Sequence, residues 1–307
     1  MRRSLWVAFK VGVTAALVVV LLTRVDLRSV GATLSSLSPA WIGLALLLTM
    51  GSVSVSAWRW HRVLAYLGEG VPFLLLLGDT LVGTTYNLLL PTSIGGDVAR
   101  GLRSAKRVTD PGHAWASVLF ERVMGLLSLV LVSTAGLLYG LTQALVPILV
   151  AALVMAVGLA VGLAFAPAPL RLAARVSASG AKGLGEFLER LAAAFAGPLA
   201  RPAPRLETFG WSLAYQLVAL TILVPVGWAW GTPDLLRAVY LGVPIALVAS
   251  TLPVSLGGHG LRESLFVFVL HPFGLSAEQA FALSLVWLAA NLVVGLAGLV
   301  VMVVEKR

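Results

Sequence analysis

The stretch Leu90-Pro91-Thr92-Ser93-Ile94-Gly95-Gly96-Asp97-Val98-Ala99-Arg100 decides how the chain is read, because it returns as Leu252-Pro253-Val254-Ser255-Leu256-Gly257-Gly258-His259-Gly260-Leu261-Arg262. Both copies read Leu-Pro-x-Ser-(Ile/Leu)-Gly-Gly-x-x-x-Arg, and both follow long apolar runs. Proline removes a backbone donor and restricts the residue before it, a glycine pair permits close backbone approach, and serine is a natural N-cap. The pattern therefore predicts helix, break, helix. In lipid, such breaks survive only where the freed backbone groups are buried in protein or line a wet cavity, and a matched pair of breaks points to a binding site.

Working outward, the surroundings are a membrane protein's. Of 307 residues, 59% are hydrophobic and only 11% charged, with mean hydropathy +0.97, whereas soluble domains carry about 25% charged residues. About 20 apolar residues span the hydrocarbon core, so the chain supplies several spans and little else. The expectation is a single transmembrane domain over residues 1–307. Arg2 and Arg3 precede the apolar run Leu5–Leu22 without a small-residue cleavage site, which favours a retained first helix over a signal peptide. Spans are expected at about Ser4–Thr23, Ala40–Ala57, Ala114–Tyr139, Leu145–Phe165, Glu207–Trp230 and Ser276–Val304. Two broken segments, from Pro72 and from Leu235, run into the repeated motif. The cluster Trp58-Arg59-Trp60-His61-Arg62 reads as a headgroup-level belt. Basic residues set among Leu and Ala over about 168–205 read as one or two interfacial amphipathic helices.

Basic residues fix the expected sidedness, since cytoplasmic loops are rich in Lys and Arg. If each broken segment enters and returns on one side, six crossings remain. The N-terminus, the 58–71 and 97–113 loops, the 168–206 segment and the tail then share a side holding 17 of the 22 Lys and Arg. A full crossing by 72–90 would move the later basic runs outside. The expected fold class is therefore an all-α polytopic membrane protein with about six full crossings plus two re-entrant broken hairpins in an inverted repeat, with halves near 40–140 and 207–304. Multi-pass residence in a bacterial or archaeal cytoplasmic membrane, both termini cytoplasmic, goes with it.

Candidate chemistry centres on the repeat and on one charged pair. Arg100 and Arg262 end the two motifs, where guanidinium groups and helix N-terminal amides could face one anion; the competing reading is snorkelling to the headgroups. Gly95, Gly96, Gly257 and Gly258 serve either close approach to that anion or tight helix packing. Glu121-Arg122 sits in an apolar run, where a charged pair needs interior partners, and neighbouring helical residues need separate ones. Asp97 or Glu263 could pair with Arg100, Arg122 or Arg262. Asp79 and Asn87 share a helix face, with interhelical hydrogen bonding as their expected role. His259 is a proton carrier or a hydrogen-bonded neighbour, and Ser93 and Ser255 read as caps because no activating base is spaced to either. With no Cys, four His without metal spacing, no phosphate-binding Gly loop and no paired Asp cluster, neither metal nor cofactor is expected, and ATP-driven transport and ordinary glycosyl transfer lose support.

Four segments together resemble a known family: Ala57-Trp58-Arg59-Trp60-His61-Arg62-Val63-Leu64, Pro91 to Arg100, Glu121-Arg122-Val123-Met124-Gly125-Leu126, and Pro253 to Glu263. The sequence is similar over nearly its whole length to the flippase-like membrane family that includes the transmembrane flippase domain of lysylphosphatidylglycerol synthases. The resemblance implies movement of a phosphate-bearing lipid, phospholipid or polyprenyl-phosphate-linked, between leaflets. It directs attention to Asp97, Arg100, Glu121, Arg122, Arg262 and Glu263. The 307 residues leave no room for the soluble aminoacyl transferase domain of two-domain members, so lipid lysylation is not expected of them. The expected partners are an anionic membrane lipid and the bilayer, with no nucleic acid; assembly as a homodimer is compatible with the sequence. The rival readings are a membrane-embedded transferase acting on a lipid phosphate, with Glu121 or Asp97 as base, and a non-catalytic assembly factor.

Overall fold

The computed structural model describes residues 12–14, 17, 19, 21, 23, 25–90, 94–142, 182–232, 234–251 and 260–305. Eleven helices account for almost all of them: α1 (Leu27–Ser35), α2 (Pro39–Tyr66), α3 (Phe73–Leu89), α4 (Gly95–Ser104), α5 (Pro111–Thr142), α6 (Lys182–Ala196), α7 (Pro202–Thr221), α8 (Val224–Ala229), α9 (Leu235–Ser250), α10 (Leu261–Leu270) and α11 (Ala277–Glu305). The protein is an all-α polytopic membrane protein. Among the described residues, four stretches are long and apolar enough to cross a bilayer: Pro39–Tyr66, Pro111–Gly136, Pro202–Ala229 and Ala277–Glu305. The expected spans near Ser4–Thr23 and Leu145–Phe165 lie wholly or mostly outside the described residues, as do residues 168–181, Lys306 and Arg307.

Proline and capping side chains set the helix starts. Pro39 and Pro202 occupy first-turn positions, where a missing N–H costs nothing. Asp26 accepts from the Arg28 N–H at 3.0 Å ahead of α1. Ser276 and Gln279 cap α11 reciprocally, the Ser276 N–H donating to Gln279 Oε1 at 3.1 Å and the Gln279 N–H to Ser276 Oγ at 3.2 Å.

The first copy of the repeated motif joins the two arms of a helical hairpin, α3 and α4. After Leu90 the chain doubles back: Asn87 meets Gly96, Gly83 meets Arg100, and Asp79 near the start of α3 binds Arg103 and, beyond the end of α4, Arg107. The two arms are antiparallel. A Cβ on Gly96 would fall on the Gly83 carbonyl and the Asn87 amide, so this packing requires glycine there. In the second hairpin Gly242 of α9 lies against Leu270 of α10, and Ile245, Ala246 and Phe266 share one buried cluster. A π-helical turn at Ala238–Gly242 interrupts α9 where the Leu241 backbone abuts Gly136 of α5. Its connection, residues 252–259, is outside the described residues.

The long helices frame the first hairpin. α11 runs antiparallel to α3, with Gly295 and Gly298 admitting Leu88, Leu81 and Thr85, and Thr85 Oγ1 donates to the Gly295 carbonyl at 2.7 Å. α2 and α7 are also antiparallel, since Arg62 pairs with Glu207, Arg59 with Ser212, and Gly51 faces Val218.

One expectation changes. Helix α2 continues to Tyr66, past the expected end near Ala57, so the Trp58–Arg62 cluster is helical and divided by its faces. Trp58 is exposed, whereas Arg59 and Trp60 are buried, because they continue the inner face of Ser52, Ser56 and Val63. Within 168–205 the described residues include amphipathic helix α6, whose Leu191, Ala194 and Phe195 pack on Ala116 and Phe120 of α5, leaving Glu186, Glu189 and Arg190 exposed.

The connections separate into two ends. At one, Glu69 accepts from the Thr109 hydroxyl at 2.7 Å and the Thr109 N–H at 2.9 Å and lies 2.8 Å from His113 Nδ1; Asp110 meets Arg190 at 3.4 Å; and Glu305 binds Arg103. At the other, Trp230 Nε1 donates to the Thr33 carbonyl at 2.9 Å, and Val30 packs near Phe281 and Ala282.

Two predictions follow from these ends. Because the native chain has no Cys, Lys106→Cys and Glu189→Cys should react with an impermeant maleimide from one side of the membrane and Ser38→Cys from the other; labelling of the first two from opposite sides contradicts the arrangement. Burial opposes ionisation of Glu69, but donation from the Thr109 N–H, the Thr109 hydroxyl, His113 and the Asp110 N–H outweighs it and holds the carboxyl below its ordinary 4.5. A depressed folded value means the stabilisation is complete above about pH 4.5 and is lost as pH falls through the folded value. Glu69→Gln should therefore lower the melting temperature near neutrality and flatten its acid dependence below pH 4.5.

Candidate functional site

Helices α2, α3, α4, α5, α7 and α11 line a cavity of about 280 Å3 among the long apolar helices. Its charged wall comes from three of them. Arg59 of α2 donates through Nε to Glu121 Oε1 at 2.8 Å and through Nη1 to Ser212 Oγ at 3.0 Å. Arg100 of α4 donates to the other oxygen of Glu121. Glu121 is thus a buried carboxylate held between two guanidinium groups, both also nearly buried. One step along α5, Arg122 points elsewhere and meets Asp97 Oδ2 at 2.7 Å, and Asp97 Oδ1 lies 3.9 Å from Arg100.

Local packing fixes these side chains. The Arg100 guanidinium lies over the Trp60 ring at 4.0 Å, and Trp60 is itself oriented by donating from Nε1 to Ser117 Oγ at 2.9 Å. Its aliphatic stem crosses Gly83, where a Cβ would collide with it. Arg100 Nε is buried and has no hydrogen-bond acceptor. At the break, the Gly96 N–H donates to Asn87 Oδ1 at 2.7 Å, so a side chain from the facing arm satisfies one of the free amides of α4. Asn87 therefore closes the hairpin. Ile94 holds the N-cap position with no side-chain cap, while Ser93 lies outside the described residues. Gly95 is packed on Leu90.

Among the other residues singled out in the sequence, Asp97, Arg100, Glu121 and Arg122 all line the cavity, with Asn87. Arg262 and Glu263 are not among its described lining. They pair at the start of α10, where Arg262 Nε donates to Glu263 Oε1 at 3.1 Å and Glu263 Oε2 accepts from the Gly260 N–H at 2.6 Å. Gly260 has φ +77°, a left-handed conformation natural for glycine. Ser255, Gly257, Gly258 and His259 lie outside the described residues. Asp79 is fully buried but belongs to a different cluster, bound by Arg103 and Arg107, which also meet Glu305 at the end of α11.

Arg59 is the functional candidate that sequence reasoning missed. The signal was present: Thr49, Ser52, Ser56 and Arg59 recur at helical spacing and form one polar stripe on an otherwise apolar helix. Chemically, the wall offers guanidinium forks for an oxyanion and hydroxyl and amide groups for its surroundings. Among the described residues, no group of three or more His, Asp or Glu is arranged to hold a metal ion.

The family model described as the lysylphosphatidylglycerol synthase TM region matches residues 7–298. The chain belongs to this family. The match takes in every charged residue of the cavity wall, and it relates this family member to membrane proteins that handle or modify lipids. No curated protein and no solved structure matches the chain.

Removing one partner from a buried ionic group strands the others, at a cost of about 3–5 kcal/mol, whereas a half-exposed pair contributes about 0–1 kcal/mol. Glu121→Gln should accordingly lower the unfolding midpoint in detergent far more than Glu305→Gln, which touches the partly exposed cluster at the end of α11. Equal shifts would mean that Glu121 is not the anion on which Arg59 and Arg100 depend.

Proposed function

We propose that this protein moves a phosphate-bearing membrane lipid, phospholipid or polyprenyl-phosphate-linked, between the leaflets of a cytoplasmic membrane. The observation that carries the reading is the buried Arg59–Glu121–Arg100 bridge on the wall of a cavity between the long helices. A phosphate cannot cross hydrocarbon bare, and an arginine in the bilayer interior needs an anion at every stage. Glu121 is that anion when the site is empty, and the lipid phosphate joins it when a headgroup enters, so the guanidinium groups keep a counter-charge throughout. The tails stay in the bilayer. The family supports a lipid as cargo.

In this reading the α3–α4 and α9–α10 hairpins are re-entrant segments of an inverted repeat, and both termini face the cytoplasm with the basic loops. The reaction makes and breaks no covalent bond. Consumption of a lipid phosphate donor by the purified protein would replace transport by transfer, with Glu121 or Asp97 as base.

The test is leaflet exchange of a tail-labelled anionic phospholipid in proteoliposomes. Arg59→Gln and Arg100→Gln should each slow exchange by at least about tenfold, corresponding to about 1.4 kcal/mol or more of lost interaction. Arg100→Lys should be impaired although it keeps the charge, because an ammonium lacks the planar fork. Wild-type rates in folded Arg59→Gln and Arg100→Gln would sink the proposal.

A further inference from the structure

Resting on the transport reading, the cavity's charge balance and hydroxyl pattern carry the argument to the headgroup itself. The described wall holds three guanidinium groups, of Arg59, Arg100 and Arg122, against two carboxylates, of Asp97 and Glu121, which leaves one positive charge in excess. Both carboxylates are already occupied by arginine, Glu121 through both its oxygens. A cationic headgroup therefore meets a wall of its own sign with no spare carboxylate. A single negative charge neutralises the excess.

Beyond the charges, the cavity wall is hydroxylic. Thr49, Ser52 and Ser56 line it from α2, and Thr80, Thr84 and Asn87 line it from α3. Four of these hydroxyls donate to carbonyls of their own helix: Thr49 to Ala45 at 2.7 Å, Ser52 to Thr49 at 2.8 Å, Thr80 to Leu76 at 2.8 Å and Thr84 to Thr80 at 3.2 Å. A hydroxyl whose proton is so used presents its lone pairs, and thus accepts. Rows of acceptors beside a cationic fork match a ligand that carries its own O–H donors next to a phosphate.

From these observations we infer that the substrate is a lipid with a monoanionic phosphodiester whose headgroup is a neutral polyol, and that lipids bearing an amine or a quaternary ammonium are discriminated against. A phosphodiester supplies one negative charge to the excess positive charge, and polyol hydroxyls donate into the Thr/Ser rows. A quaternary ammonium has no donor for them. A lysyl ester reverses the net charge. Glycerophospholipids with a glycerol headgroup and polyprenyl phosphohexoses share the required chemistry.

Binding and movement separate this inference from the transport reading. Native mass spectrometry of the purified full chain would compare phosphatidylglycerol, its lysyl ester, phosphatidylethanolamine, phosphatidylmethanol and a polyprenyl phosphohexose, alongside leaflet exchange of the same lipids. Phosphatidylmethanol keeps the monoanionic phosphodiester and lacks the hydroxyls. The expected order puts phosphatidylglycerol or the phosphohexose at least tenfold tighter than the lysyl ester and phosphatidylethanolamine, and several-fold tighter than phosphatidylmethanol. The tighter of the two polyol lipids identifies the source. Ser52→Ala with Thr80→Val should erase the advantage of the polyol lipid over phosphatidylmethanol. A lysyl ester that binds as tightly as phosphatidylglycerol, a phosphatidylmethanol that equals it in the wild type, or no binding of any polyol lipid overturns the inference. Selective binding without exchange overturns transport alone, and exchange of all lipids at one rate without selective binding overturns the inference alone.

Discussion

A single buried carboxylate, Glu121, holds the centre of the structure together. Its two oxygens tie Arg59 of α2 and Arg100 of α4 to α5, so three helices are joined through one anion. Burying charge costs several kcal/mol per ion and is recovered only with good geometry and further hydrogen bonds. The recovery is visible: Arg59 reaches Ser212 on a fourth helix, Arg100 lies over Trp60, and Trp60 is oriented by Ser117. Without Glu121, two guanidinium groups would face a cavity in an apolar bundle with no counter-charge between them.

The first hairpin delivers Arg100 to that anion. Proline and glycine break the helix between Leu89 and Gly95, but what makes the return arm lie close is the absence of side chains at Gly83 and Gly96, where a Cβ would meet backbone or the Arg100 stem. Membrane helices associate through this kind of packing, since lipid tails offer no hydrophobic drive between apolar surfaces. Gly295 and Gly298 repeat the device on α11 and bring the last helix against the entering arm. Arg100 reaches the cavity because the backbone on both sides of it can come near.

Much of this was legible in the sequence, for identifiable reasons. The helix–break–helix motif at 90–100 could be read because Pro and Gly act locally. Glu121-Arg122 could be read because a charged pair in an apolar run demands interior partners, and the divergence of its two side chains follows from helical geometry. Arg59 could not be found from its neighbours, because Trp58, Trp60, His61 and Arg62 form an aromatic and basic cluster in composition. Only the length of α2 reveals that the cluster is helical and that Arg59 continues the Thr49–Ser52–Ser56 face. Asn87 was placed on the right face, but its role as acceptor for the Gly96 N–H depends on the hairpin closing, a tertiary fact. The equivalence of Arg100 and Arg262 in the motif does not extend to their partners, since Arg262 turns to the adjacent Glu263 while Asp97, three residues before Arg100, is held by Arg122.

The α3–α4 hairpin carries two charged clusters, and their difference indicates which can accept an anion. At the base, Arg103 and Arg107 both bind Asp79 and both meet Glu305, so two cations face two carboxylates and the cluster is neutral. It joins the hairpin to the end of α11 and has no electrostatic demand left. At the cavity, three guanidinium groups share two carboxylates, and one of their donors, Arg100 Nε, is buried without an acceptor. Desolvation makes an uncompensated cation expensive, so the cavity cluster is the one that gains from a further anion. The same hairpin is thus fastened at its base by a balanced ionic cluster and carries an excess of positive charge at the cavity.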